Sequence, residues 1–253
     1  MSEPQVLLER RGHVALITLN RPTVANSISS VTLAELSRIE GEIKTDEAVR
    51  AVVITGAGKH FCAGMDLAEA LAGAPAAVGA RFGLHRLPQP VIAAINGSAM
   101  GGGCELALAC DIRFAADNAK IGLPEVQFGE LPLLGGTARL GRLIGASAAK
   151  RMILTGDSVD AQTALRLGLV DEVCAAGDLL NAAIALAEKI AGNAAFAVRT
   201  GKSLIDRAMS GDIDEALDRE QEEVLAMASE EERREARRIA AERSPVYAKL
   251  FRD

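Results

Sequence analysis

Three successive glycines, Gly101, Gly102 and Gly103, stand just ahead of a carboxyl group, Glu105. They follow Val91–Ile95, an apolar run suited to a buried strand, and open a stretch suited to a helix with Glu105 in its first turn. Glycine lets a backbone turn sharply and lets a ligand come close. The first N–H groups of a helix have no internal partner, and the dipole there favours negative charge. Unpaired donors beside a carboxyl group suit a reaction that builds an oxyanion and moves a proton. The same residues also describe a plain strand-to-helix turn with a helix-start glutamate, so the chemical reading depends on what the rest of the chain supplies.

Other familiar chemistries fail on spacing. Gly56-Ala57-Gly58-Lys59 lacks the glycine spacing of a phosphate loop, and His60 stands where its Ser or Thr belongs. Leu106 stands where a dinucleotide fingerprint needs its last Gly or Ala. Ser98 is not in a nucleophile elbow. The three histidines, His13, His60 and His85, have no metal-ligand spacing, so no metal site is expected. His13 and His85 read as surface residues of a strand and a helix, and His60 as a packing or solvent-facing residue.

Composition narrows the class. The chain has 253 residues, 49% hydrophobic and 25% charged, ordinary for a globular protein with a sizeable core. Aromatic content of 3% argues against a base-stacking surface, and a net charge of −6 also argues against a nucleic-acid partner. No apolar run reaches membrane-spanning length, and Met1-Ser2-Glu3-Pro4 has no secretory pattern. Cys62, Cys104, Cys110 and Cys174 lie in mostly apolar contexts without paired spacing, which suits reduced thiols and a cytoplasmic location.

The elements alternate. Val6–Arg10 and His13–Asn20 read as hairpin strands. Ser29 or Ser30 can cap a helix carrying Leu33, Leu36, Ile39 and Ile43. Ala51–Thr55, Val91–Ile95, Asp111–Ala115 and Leu169–Val173 read as further strands, with helices between. This pattern predicts an α/β fold. The alanine-rich segment up to Arg86 reads as a mobile helix or lid. Helices are expected at Ala161–Leu167, Leu179–Ala191, Ala194–Ala208, Ile213–Ala228 and Glu230–Arg243, followed by a tail through Pro245, Tyr247 and Phe251.

One set of residues resembles a single family. Asn20-Arg21-Pro22 through Asn26, Phe61-Cys62-Ala63-Gly64-Met65-Asp66-Leu67, Gly101-Gly102-Gly103-Cys104-Glu105 and Pro124-Glu125 with Gly135-Gly136-Thr137 look like the enoyl-CoA hydratase/isomerase (crotonase) family. The resemblance extends to Glu242-Arg243-Ser244-Pro245. It implies a spiral of β-β-α units over 1–190 and a C-terminal helical segment over 191–253 that builds a homotrimer, often paired into a hexamer. It implies an acyl-CoA substrate, with coenzyme A as part of that substrate and no separate cofactor. It implies that N–H groups at Ala63 and Gly102 form the oxyanion hole. It implies that Val24, Met65, Asp66 and Leu67 cup the adenine end of coenzyme A.

Hydratases of this resemblance hold glutamates at the positions of Glu105 and Glu125. Two carboxyl groups near one site can divide roles, because each disfavours ionisation of the other. Glu105 is then the base on water and Glu125 the donor to C2, though a concerted split remains open. Without the family, Glu125 reads as a solvent-facing loop carboxylate and Asp66 as a helix N-cap. Leu133 stands where many hydratases have a glycine whose N–H helps place the water, and its side chain can reshape the acyl pocket. Thr23 replaces a lysine often seen near the coenzyme phosphates; Lys59 or Arg21 can compensate. Glu130 reads as an exposed loop residue. Rival readings are another reaction of the family, isomerisation or specialised dehydration, and an acyl-CoA-binding protein without catalysis.

Overall fold

A computed structural model describes residues 3–71, 82–209, 211–226 and 230–243. The first half runs β1 (Val6–Arg11), β2 (Val14–Leu19), α1 (Ser30–Thr45), β3 (Ala51–Gly56), α2 (Leu67–Leu71), β4 (Val91–Ile95), β5 (Ala99–Met100), α3 (Gly102–Leu108), β6 (Ile112–Ala116) and β7 (Lys120–Gly122). The second runs α4 (Gly136–Ile144), α5 (Ala146–Thr155), β8 (Val159–Asp160), α6 (Ala161–Leu167), β9 (Glu172–Cys174), α7 (Leu179–Ala191), α8 (Ala195–Ala208), α9 (Ile213–Ala226) and α10 (Glu230–Arg243).

The main sheet has strand order β1-β2-β3-β4-β6-β9, antiparallel at β1–β2 and parallel elsewhere. Side chains alternate across a strand, so a sheet covered on both faces needs apolar residues at every position. β3 and β4 meet that demand and are buried throughout. Val14, Leu16, Val53, Ile92 and Ala94 form one face and pack with Leu179, Ala183, Ile184 and Ala187 of α7. Those four recur at helical spacing, which gives α7 one apolar stripe. Ala15, Ile17, Val52, Ile54 and Ala93 form the other face and pack into the larger core with Leu36, Ile39 and Ile43 of α1. Ser29 caps α1: its side chain accepts from Thr32 N, and the Thr32 side chain answers to the Ser29 N–H.

A second, small sheet lies beside the first, in the order β5-β7-β8, extended by isolated bridges Ile28–Met65 and Cys62–Ala99. Successive turns of chain therefore repeat one plan. β2 leads to Ile28 and α1, β3 to Cys62 and α2, β4 to β5 and α3, and β6 to β7 and α4. Each turn adds a long strand to one sheet, a short strand to the other and a helix: the β-β-α spiral of a crotonase fold.

Sequence reading placed the last strand at Leu169–Val173, whereas β9 is Glu172–Cys174. Gly168, at φ 74°, ends α6, and the N–H groups of Leu169 and Val170 turn back to Ala164 O. Those residues close the turn instead of pairing. The buried Arg113 anchors it by donating from Nε to Leu169 O at 3.0 Å. The expected lid falls largely on residues 72–81, outside the described residues; α2 precedes it and a 3-10 turn, Gly83–Arg86, follows it. The tail residues Pro245, Tyr247 and Phe251 also lie outside the described residues. No helix among the described residues is long and apolar enough to cross a membrane. All four cysteines are free thiols, and Cys62, Cys104 and Cys110 are buried.

Candidate active site

Two strand-exit loops meet at the start of α3. Gly101 caps this helix with φ 52° and ψ −123°, a conformation open mainly to glycine, and its N–H bonds Gly122 O at 2.9 Å. A Cβ built on Gly103 would run into the backbone oxygen of Cys62, so α3 and the 61–67 loop are in close backbone contact. Gly64 has φ 99°, and a Cβ there would stand 2.8 Å from Met100 O and 3.3 Å from Gly102 N. The glycines of both motifs thus let two backbones touch.

That contact brings two free donors together. The N–H groups of Gly102 and Met65 donate to no acceptor among the described residues. A Cβ on Gly102 would lie 3.6 Å from Met65 N. Ala63, expected to supply the second donor, does not: its N–H is committed to Ala25 O at 3.0 Å. The bridge Ile28–Met65 explains the difference. The Ile28 N–H donates to Gly64 O at 2.8 Å and the Asp66 N–H donates to Ile28 O at 3.0 Å, which leaves the Met65 N–H pointing off the ladder. Ala63 is exposed at the loop surface, and Met65 takes its place beside Gly102.

Glu105 and Glu125 flank this corner. Glu105 sits within α3 at 2% exposure, and its Oε1 accepts from Leu134 N at 2.7 Å and Gly136 N at 2.8 Å. Burial pushes its carboxyl up from the ordinary range, while those two N–H groups and the Arg139 charge pull it back. Glu125 opens a 3-10 turn, Glu125–Phe128, and is half-buried. Its Oε2 is buried without a hydrogen-bond partner, and its Oε1 would stand 3.1 Å from a Cβ on Gly101. Burial pushes Glu125 up, its own N–H pulls it down, and a negative charge on Glu105 raises it further. The solvent-facing reading of Glu125 does not hold. Glu130 is exposed, as expected.

The residues expected around coenzyme A ring the same loops. Val24 ends a 3-10 turn, Pro22–Val24, and is 46% exposed. Leu67 begins α2 at 72% exposure, and Leu133 is 58% exposed beside the Glu105 loop. Met65 is partly buried against the core. Asp66 serves two neighbours: Oδ1 takes Ala68 N at 3.0 Å, capping α2, and Oδ2 takes Arg21 Nη1 at 2.7 Å. That arginine holds the Asp66 carboxyl below the ordinary range. Arg21 also donates to Ser27 O at 2.7 Å, so it is tied into the loop frame.

Two further residues were not visible as site residues in the sequence. Arg139 on α4 donates from Nη1 to Leu134 O at 2.8 Å, next to the N–H that holds Glu105. His85, expected on a helix surface, is half-buried in the 3-10 turn before β4, with Nδ1 3.2 Å from Arg139 Nη2. An arginine one turn along from Gly135-Gly136 was the available signal. Among the described residues, no three histidine, cysteine or carboxylate side chains gather where they could hold a metal ion.

Two free backbone donors thus stand beside one buried and one half-buried carboxyl group on a β-β-α spiral. The family model for enoyl-CoA hydratase/isomerase matches residues 9–249. The chain belongs to that family, as an enoyl-CoA hydratase-like enzyme. It is 45% identical to the short-chain-enoyl-CoA hydratase of Clostridium acetobutylicum, over 91% of this chain and 92% of that one. The crystal structure of enoyl-CoA hydratase from Bacillus anthracis matches with a TM-score of 0.82 and 42% identity, covering 86% of this chain and 88% of that one. A monofunctional enoyl-CoA isomerase from M. smegmatis also matches, with a TM-score of 0.74 and 37% identity over 85% of this chain and 99% of that one.

Proposed function

We propose that the protein adds water reversibly across the double bond of a 2-enoyl-CoA. The unlike surroundings of its two glutamates carry this reading. Hydration needs a group that accepts a proton from water and another that gives one to C2. Glu105 has two N–H donors on one oxygen, which favour its carboxylate and suit it as the base. Glu125 has a buried oxygen without a partner and a charged neighbour, which favour its neutral acid and suit it as the donor. The thioester oxygen accepts from the N–H groups of Met65 and Gly102. Negative charge that develops there as hydroxide joins C3 meets donors already in place. Val24, Met65, Asp66 and Leu67 cup the coenzyme A end, and Leu133 borders the acyl group. Coenzyme A enters as part of the substrate, and the reaction needs no separate cofactor.

The assembly that fits this reading is a homotrimer or a pair of trimers in the cytoplasm, joined through the segment 191–253. Ile213 and Leu217 of α9 are 65% and 49% exposed, an apolar face suited to such burial; Val224 and Leu225 of the same stripe have side chains outside the described residues. Light scattering with size exclusion should give a multiple of three, and a monomer at micromolar concentration contradicts it.

The Clostridium acetobutylicum relative is named for short chains, so crotonyl-CoA is the first substrate to try. Loss of its enoyl absorbance with one water gained by mass is the expected result. The isomerase likeness supports one rival. If 3-enoyl-CoA is converted to 2-enoyl-CoA and no water is added to either, the hydratase reading fails.

A further inference from the structure

Glu105 owes its place to a loop whose own shape needs a cause. The residues Pro132 to Gly136 carry the two N–H groups that converge on Oε1. Convergence on a single atom requires both peptide units to hold their tilt. Gly136 is packed from outside: a Cβ there would stand 2.8 Å from Pro132 Cβ and 3.0 Å from Leu123 Cδ1. Leu134 is fixed from its carbonyl side, where Arg139 Nη1 donates at 2.8 Å. Gly135, between them, has φ 111°, and a Cβ there would strike the Arg139 guanidinium. The guanidinium therefore lies across the bare backbone of the loop it clamps.

We propose that Arg139 is the positioning residue of Glu105, its guanidinium holding the Leu134–Gly136 backbone so that both N–H groups stay on Oε1. The inference rests on the proposed role of Glu105 as base. The charge acts in the same direction as the clamp, because a nearby cation favours a carboxylate over a neutral acid. The groups that face Glu105 are Glu125 from the 3-10 turn after β7, Arg139 from α4 and the buried thiol of Cys104 beside it. His85 stands behind Arg139, its Nδ1 2.8 Å from Phe82 O and 3.2 Å from Arg139 Nη2. That nitrogen can donate to Phe82 O or accept from Arg139, never both, so His85 is a second tie on the guanidinium only when Nδ1 is bare.

The test compares Arg139→Met, which keeps length, with Arg139→Lys, which keeps charge, each alone and on a Glu105→Gln background. Crotonyl-CoA hydration is followed across pH, and the Glu105 carboxyl is titrated by NMR on carbon-labelled glutamate. Arg139→Met is expected to lower kcat about 10- to 10²-fold with KM changed by less than about threefold. The acid limb of kcat should move to higher pH, because a carboxylate without its cation protonates more readily. Arg139→Lys should bring the limb back while recovering kcat only in part. On the Glu105→Gln background, Arg139→Met should cost less than about twofold, since it acts through a group already lost. An unmoved limb with equal loss on both backgrounds assigns Arg139 a merely structural role and overturns the inference. Should the wild type hydrate nothing, the hydratase reading falls on its own. The titration still decides: an unchanged Glu105 midpoint in Arg139→Met overturns the clamp, and an upward shift sustains it.

Discussion

Glu105 and Glu125 are the same residue type at one corner of the molecule, and their surroundings are opposite. Glu105 is set in a helix with packing on every side and two N–H groups aimed at one oxygen. Glu125 starts a one-turn helix at the edge of the core, with one oxygen buried and unanswered. Burial raises both, yet what the backbone offers each differs. A carboxyl group is therefore tuned here less by depth than by the donors that share its depth. The donors on Glu105 come from a glycine loop 29 and 31 residues further along the chain, so its surroundings are assembled from distant segments. Glu125 is tuned by what is missing around it and by the charge of its neighbour.

The strongest way to break this contrast is to remove proton exchange from one partner at a time. Glu105→Gln and Glu125→Gln keep size and most hydrogen bonding. Each should lower kcat for crotonyl-CoA hydration by ~10²–10⁴-fold. The double variant should be little worse than the poorer single one, because residues acting in one step are not additive. Acyl-CoA affinity, read by calorimetry, should hardly change, since the donors of Met65 and Gly102 are backbone. Near wild-type hydration by Glu125→Gln would refute the division of roles.

A smaller loss should follow from disturbing the donors instead of the acids. Gly136→Ala places a Cβ 3.1 Å from Glu105 Oε1 and 2.8 Å from Pro132 Cβ, so the loop must shift. A displacement near 1 Å at a reacting group costs on the order of 10²-fold. Gly141→Ala, on the same helix with open space around it, serves as the control. Equal activity of the two variants would show that loop geometry does not set Glu105.

Much of this contrast was legible in the sequence. Gly101-Gly102-Gly103 and Glu105 announced a helix start with free donors, and β4, α6, α7 and α10 have the bounds the sequence predicted. Three things were not legible, each for a physical reason. Strands of two or three residues, β5, β7 and β8, are too short to show a period, so the second sheet was unseen. The free N–H falls at Met65 and not at Ala63, two residues away, because N–H direction depends on pairing with Ile28 and not on side-chain type. Arg139 escaped notice because it acts on a carbonyl oxygen, which leaves no trace in residue identity.

The contrast can be sharpened further out, at Glu40 of α1. Its Oε1 accepts from Gly83 N at 2.9 Å, tying α1 to the 3-10 turn that carries His85. Burial pushes this carboxyl up to about 7, against the pull of the Gly83 and Leu84 N–H groups. The folded protein thus keeps a proton there that the unfolded chain gives up near the ordinary carboxylate value. Stability should fall as pH rises from about 4.3 towards 7, by the linkage of proton binding to folding. Thermal unfolding across pH checks the sign. Glu40→Gln should flatten that part of the curve, and a variant with an unchanged slope would assign the slope to other groups.

The smallest effect is the one that separates the two carboxyl groups by stability alone. Ionising Glu125 would leave its buried Oε2 unanswered and facing the Glu105 charge. Its carboxyl is raised in the fold, so folding favours the protonated form, and stability is lost as pH climbs from the unfolded value through the folded one. Glu125→Gln removes this titration, and with it the cost of taking up a proton or bearing an unanswered charge on folding. A gain of about 1 kcal/mol is expected at pH 7, after discounting for solvent screening of a half-exposed group. In a chain of this size that is a rise in Tm of about 2–4 °C. The gain should shrink as pH falls through about 4.3, the ordinary value of the unfolded carboxyl. Glu105→Gln removes a charge that two N–H donors already stabilise, so its gain should be smaller or absent. Tm measured for the wild type and both variants from pH 4 to pH 8 tests the difference. If Glu105→Gln stabilises as much as Glu125→Gln, the converging donors are not what distinguishes the two carboxyl groups.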